Sequence, residues 1–166
     1  MTLKFRDAAL DDVAAIASLQ NAVAGALTAR FGPGPWFSLV NERGASLAQR
    51  RARVRIGRDG KHTLTVLRLA TKKPWVIDVS HFTPVKRPLY LTGMAVSVAH
   101  QGQGLGTMAL EDACTIAEAW PADAVRLDAY DANAGAGRFY ARRGFTKRGR
   151  VVYEGDPLVY YERLLR

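Results

Sequence analysis

The stretch Met94-Ala-Val-Ser-Val-Ala-His-Gln-Gly-Gln-Gly-Leu-Gly-Thr107 decides how the chain is organised. Residues 89–96 alternate and are rich in β-formers, which predicts a strand. Gly102, Gly104 and Gly106 follow on alternate positions. Three glycines allow a tight turn and leave no side chain between its N–H groups and a ligand. Over residues 107–120 the periodicity becomes helical, with Met108, Ala109, Ala113, Ile116, Ala117 and Trp120 sharing a face. A helix that begins behind exposed amides is an anion site, because unpaired donors coincide with the positive end of its dipole. The pattern therefore predicts a phosphate-bearing ligand over residues 101–107.

Three kinds of phosphate loop use this physics. A Walker loop needs Lys-Ser/Thr directly after its last glycine, and no lysine stands there. A dinucleotide fingerprint fits Gly104-x-Gly106-x-x-Ala109, with Asp128 about 20 residues on, where a ribose-binding acid belongs. Against it, only a short tail follows Asp128, too little for the rest of a doubly wound sheet. The third kind explains more of the chain. Gln101-x-x-Gly104-x-Gly106, after a strand and before an amphipathic helix, is joined downstream by Asn133-x-x-Ala136-x-x-Phe139-Tyr140-x-x-x-Gly144-Phe145. One helix and one strand, residues 125–130, separate the two blocks. Together they resemble the GNAT superfamily of N-acetyltransferases, sharply over residues 90–145 and diffusely elsewhere.

The resemblance implies an α/β single-domain GNAT-like fold over residues 1–166, with a mixed, strongly twisted central sheet and helices on both faces. It implies acetyl-CoA as acyl donor, passed by direct attack of a primary amine on the thioester, the acceptor being a small molecule or peptide. Backbone of Gln101, Gly102, Gln103, Gly104, Leu105, Gly106 and Thr107 would cradle the pyrophosphate. Met94, Ala95 and Val96 would pair with the pantetheine arm, and an N–H near Val96 would polarise the thioester carbonyl. Tyr140 stands at the family's tyrosine position and would protonate the departing thiolate. Asn133, Phe139 and Arg143 belong to the same cofactor-flanking helix. The family often places a carboxylate on the central strand as base, and residues 89–96 have none. Asp78 and His81 are the candidate bases, with Tyr90 acting through water. Trp36, Phe37, Phe82 and Tyr90 are the candidate acceptor contacts, and no metal site is identified. Each of these side chains also has a plainer reading, as a cap, a half-buried helix aromatic or a loop pinned to the core. The competing functions are a non-catalytic acyl-CoA sensor and an NAD-type dinucleotide enzyme.

Composition bounds the rest. A chain of 166 residues suits one domain with a real core. No apolar run reaches transmembrane length and the N-terminus lacks a signal-peptide pattern, so a cytoplasmic, bacterial-type enzyme is expected. The one cysteine, Cys114, agrees with a reducing compartment and reads as a small helix residue. Lys plus Arg number 24 against 15 Asp plus Glu. The total reads as solubilising charge, while two clusters are more specific. Arg50, Arg51, Arg53, Arg55, Arg58 and Lys61 read as a solvated hairpin edge. Arg138, Arg142, Arg143, Lys147, Arg148 and Arg150 start on the cofactor-flanking helix and suit phosphate contact. Nucleic acid enters only as an RNA-linked acceptor, because no motif with interleaved aromatics is present.

In order, the pattern predicts a strand at residues 3–6, a helix to about Ala29, a Gly/Pro break at 31–37 and a short helix at 44–51. A hairpin about Asp59-Gly60 follows, then a strand at 75–79 and the central strand. After the helix at 107–120 come a parallel strand at 125–130, reached by a right-handed crossover, and a helix at 133–143. A closing hairpin, a plausible dimer edge, turns about Glu154-Gly-Asp-Pro157.

Overall fold

The computed structural model describes residues 2–36 and 40–165. Its strands are β1 (Lys4–Asp7), β2 (Arg53–Asp59), β3 (His62–Ala70), β4 (Pro88–Val96), β5 (Ala124–Tyr130), β6 (Thr146–Tyr153) and β7 (Asp156–Leu164). Its helices are α1 (Val13–Phe31), α2 (Glu42–Arg51), α3 (Leu105–Ala119) and α4 (Gly137–Ala141). The strands form one mixed sheet, flanked by helices, in the order β1-β2-β3-β4-β5-β7-β6. The chain divides into two compact units, Met1–Ala70 with Thr92–Ala113 and Thr71–Leu91 with Cys114–Arg166.

In the first unit, β1, β2 and β3 are antiparallel neighbours, and the hairpin predicted at Asp59-Gly60 closes with Asp59 opposite His62. Val13, Ile16, Ala17 and Leu19 recur at helical spacing along α1. They pack against Val54, Ile56, Val66 and Ala95 from the sheet, with Ala45 of α2. Full burial of each Val, Leu or Ile contributes roughly 1.5–3 kcal/mol. The Asn41 side chain caps α2 by accepting from the Gly44 N–H at 2.8 Å. Not all of the first basic cluster is solvated. Arg55 is largely buried, bridging Asp7 at 2.9 Å and Asp112 of α3 at 2.8 Å, and Arg53 reaches Asp7 at 3.0 Å. Arg53 ties β2 to β1, and Arg55 ties both strands to α3.

In the second unit, β4 and β5 run parallel, with Leu89 opposite Val125 and Tyr90 opposite Arg126. β5, β7 and β6 then pair antiparallel. Its core joins Ile77, Phe82, Tyr90 and Tyr160. A buried ion pair, Arg126 to Glu162 at 3.0 Å, is completed by the Thr83 carbonyl and the Tyr90 hydroxyl, both accepting from the guanidinium. A buried charge persists only with such partners.

Two predicted elements change. Residues 75–79, where the pattern predicts a strand, form turns and enter a 3-10 helix, Val79–His81. Asp78 explains this, because its carboxylate accepts from the N–H and hydroxyl of Ser80 at 3.0 and 2.7 Å. Such local bonds compete with a strand ladder, and Trp75 is left 85% exposed. The helix expected over residues 133–143 contracts to α4. Gly135 closes a turn through its N–H to the Ala132 carbonyl at 2.9 Å, and a β-carbon there would overlap the Tyr130 carbonyl oxygen. Among the described residues no helix is long and apolar enough to cross a membrane.

Candidate active site

The first unit carries the glycine turn. β4 ends at Val96, and Ser97 donates its N–H to the Leu64 carbonyl at 2.8 Å. A 3-10 turn, Val98–His100, then redirects the chain, with the Ser97 hydroxyl 3.0 Å from His100 Nδ1. The Gln101 side chain folds back and donates to the Val96 carbonyl at 3.1 Å. This amide braces the end of the strand, and the backbone is left to meet a phosphate. Gly102 and Gly104 have φ of 76° and 85°. L-residues avoid that left-handed region, so glycine is demanded by conformation. A β-carbon at either position would meet nothing within 4 Å, and Gly102, Gln103 and Gly104 are exposed. The turn thus presents backbone to open space.

α3 starts immediately afterwards. Leu105 is buried against Leu3 and Leu64 and anchors the first turn, which also holds the half-buried Gly106 and Thr107. First-turn amides point out of a helix along its dipole. An open cradle of backbone at the N-terminus of a helix of 15 residues fits a pyrophosphate. Met94 and Ala95 lie just before the turn on β4.

The second unit carries the tyrosine. Tyr140 of α4 is buried, with its ring edge-on to Phe139 at 5.2 Å and to Phe145 at 5.7 Å. Burial pushes its phenol above the ordinary range, and the charge of Asp128 adds to the shift. The proton is therefore held firmly at neutral pH. Arg143 lies over the Phe139 ring at 4.1 Å and donates to the Phe139 carbonyl at 3.1 Å. Asn133 is exposed and lines a concavity of about 360 Å³ with Tyr130, Arg138, Lys147, Arg150 and Tyr161. Part of the second basic cluster is already paired there, Arg150 with Asp131 at 2.8 Å.

Other candidates change role. The Asp78 side chain is 60% exposed, and its bonds from Ser80 hold the carboxyl below the usual range. This candidate base is placed as a surface cap on the 3-10 turn. His81 lies 4.0 Å from Asp78 and edge-on to Tyr160 at 5.3 Å, a packing position. Phe82 and Tyr90 are core residues, 4% and 3% exposed, so packing accounts for both rings. The Trp36 indole N–H donates to the Thr28 hydroxyl at 3.0 Å, pinning its loop to α1. Phe37 lies outside the described residues.

Sequence reading offers Asp128 only as a ribose-binding acid. It is half-buried on β5 opposite Tyr160, and burial raises its carboxyl above the ordinary range. A partly buried carboxyl beside a buried phenol is a candidate proton-handling pair. The available signal is the run Arg126, Asp128, Tyr130 on one face of a strand whose other face is apolar. β5 also pairs antiparallel with β7, which is not the continuation a doubly wound dinucleotide fold requires.

Residues 72–145 match the model of the Acetyltransferase (GNAT) family. No curated protein sequence matches the chain. Several solved structures share the fold. An N-acetyltransferase from Staphylococcus aureus Mu50 is 15% identical over 100% of both chains, with TM-score 0.76. yncA from Salmonella typhimurium, solved with its cofactor acetyl-CoA, is 18% identical over 100% of this chain and 95% of that one, with TM-score 0.74. Ribosomal-protein-alanine N-acetyltransferase from Brucella melitensis is 16% identical over 98% of this chain and 99% of that one, with TM-score 0.75. The glycine turn and the downstream tyrosine block both lie within residues 72–145, the part of the chain that matches the Acetyltransferase (GNAT) family model, and the solved structures share the fold.

Proposed function

We propose that the chain, acting as one domain over residues 1–166, moves the acetyl group of acetyl-CoA to the primary amine of a small-molecule or peptide acceptor. The carrying observation is the succession of β4, two left-handed glycines over open space and the N-terminus of α3. Acetyl-CoA supplies a thioester carbonyl and a thiolate leaving group. Backbone of residues 101–107 holds its pyrophosphate, and Met94, Ala95 and Val96 offer a strand edge to its amide-rich arm. An N–H near Val96 polarises the carbonyl. Asn133, Phe139 and Arg143 flank the donor.

Protons move at two places. A lysine-like amine has pKa about 10.4 and is almost wholly charged at neutral pH, so it must lose a proton to attack. Asp128 is the group best suited to take it, because its raised carboxyl is a stronger base than an exposed aspartate. As the new C–N bond forms and the C–S bond breaks, Tyr140 donates to the thiolate and is reprotonated from solvent. The lone, buried Cys114 agrees with a reducing cytoplasm.

The test is calorimetric titration with acetyl-CoA, with NAD(H) as control, followed by thiol release across an amine panel. Saturable acetyl-CoA binding with amine-dependent release of CoA is expected. A folded chain that binds no acetyl-CoA, or that binds it and acetylates no amine, overturns the reading.

A further inference from the structure

Among the described residues two arginines, Arg58 and Arg68, hold a buried Nε without a hydrogen-bond partner, Arg58 donating instead through Nη2 to the Lys61 carbonyl at 2.8 Å. Arg55 has two carboxylates. Arg126 has a carboxylate, a carbonyl and a phenol. Arg68 projects from β3 between the buried Leu67 and Leu69. Its Nε is buried and has no hydrogen-bond partner, and among the described residues no carboxylate pairs with its guanidinium. Its wall is mostly apolar, with Ile16, Ala45, Val54 and Val66 around a void of about 20 Å³ in which Gln20 is the other polar side chain. Burial pushes its pKa down. One water fits such a void, which would supply a hydrogen-bond partner and no counter-charge. A guanidinium in that setting is matched by an anion, and a planar oxyanion fits its fork in bidentate fashion.

The position of Arg68 is informative. Its guanidinium lies against the backbone of Gly93, where a β-carbon would stand 2.7 Å from Nε and 2.8 Å from Nη2. Gly93 has φ of 62°, and its carbonyl accepts from the Gln20 side chain at 3.3 Å. The next residue, Met94, begins the strand edge assigned above to the donor. An anion on Arg68 would therefore sit beside the place where the thioester is presented.

We propose that Arg68 is the specificity residue of the acceptor site, and that the acceptor is a small amine carrying an oxyanion, a carboxylate or a phosphonate, a few bonds from its nitrogen. The anion pairs with the guanidinium, and the pairing sets the amine against the edge that starts at Met94. This assignment rests on the acetyl-transfer reading.

The experiment compares matched acceptors on the full-length protein at saturating acetyl-CoA. Each of a set of amino acids is measured beside its carboxamide, with aminoalkylphosphonates as a separate arm that distinguishes the two oxyanions. Expected is at least one anionic acceptor favoured about tenfold or more in kcat/KM over its neutral counterpart, as one charge-assisted pair predicts. Arg68→Gln should remove that preference, raising KM for the acid at least about tenfold more than for the carboxamide, while Arg68→Lys keeps part of it. Calorimetry should show unaltered acetyl-CoA affinity in both variants, which certifies their fold. A carboxamide accepted as well as its acid, or an Arg68→Gln variant that slows both alike, overturns the proposal. So does a chain that binds acetyl-CoA and acetylates no anionic amine. A wild-type chain without acetyl-CoA binding removes the acetyl-transfer reading, and this assignment with it.

Discussion

A β-carbon on Gly93 would lie 2.7 Å from Nε of Arg68, on a backbone whose φ is already 62°. Two constraints therefore act on one residue, conformation and contact. Gly93→Ala should cost about 2 kcal/mol or more, combining the left-handed penalty with displacement of the guanidinium. Urea unfolding of Gly93→Ala and of Gly93→Ala/Arg68→Ala separates the two. The double variant should recover the contact part and keep the conformational part.

Arg68→Met tests the buried charge from the side of stability. A half-buried guanidinium without a counter-charge opposes folding, so a similar-sized apolar side chain should stabilise the ligand-free protein by about 1 kcal/mol or more. A midpoint shift to higher denaturant with unchanged m-value is the expected result. A loss of stability would mean that the guanidinium is already well solvated or paired.

Gly104 offers the complementary case, with φ of 85° and nothing within 4 Å of a β-carbon. Gly104→Ala should cost about 1–2 kcal/mol through conformation alone. That strain falls on the turn assigned to the pyrophosphate, so acetyl-CoA affinity should fall at least about tenfold. Calorimetry beside circular dichroism would show weakened binding in a folded protein.

Tyr140→Phe keeps the ring that packs on Phe139 and Phe145 and removes the proton donor. A fall in kcat of about 10²–10⁴ is expected, with acetyl-CoA affinity retained. Because burial pushes the phenol up, Tyr140 stays protonated through pH 10. No loss of wild-type rate below that pH should trace to its ionisation. A full-rate Phe variant would remove Tyr140 as the acid.

Asp128 links activity to stability in opposite directions. Its folded carboxyl titrates above the unfolded value. The corresponding stability is complete below about pH 3.9 and is lost as pH rises through the folded pKa. At pH 7 the wild-type chain carries that cost. Asp128→Asn should therefore melt higher at pH 7, with the gain vanishing in acid, and should lose most of its rate together with the acidic limb of the pH–rate profile. A variant that melts higher and turns over at the wild-type rate would leave Asp128 a packing residue.

Much of this was legible from neighbours in sequence. Alternation in residues 89–96, the glycine spacing and the helical period behind it specify strand, turn and helix, and all three are present. Asp59-Gly60 specifies its hairpin because turn chemistry is local. The parallel pairing of β4 with β5 follows from a crossover containing α3. Where local signals conflicted, sequence reading failed. The apolar run at 75–79 reads as a strand until the cap from Asp78 to Ser80 is seen, and Asn133 precedes glycines that favour a turn over a helix.

What the sequence alone determined is therefore the glycine turn, the succession of elements around it and the paired blocks that resemble the GNAT family. These depend on periodicity and backbone freedom, which a few consecutive residues encode. Only the tertiary structure decided which polar groups have partners. It made Asp78 a surface cap, placed Phe82 and Tyr90 in the core, brought Asp128 near Tyr140, and left Arg68 buried against Gly93 without a counter-charge. The electrostatic state of a side chain is set by burial and by groups distant in the chain, and no local window contains them.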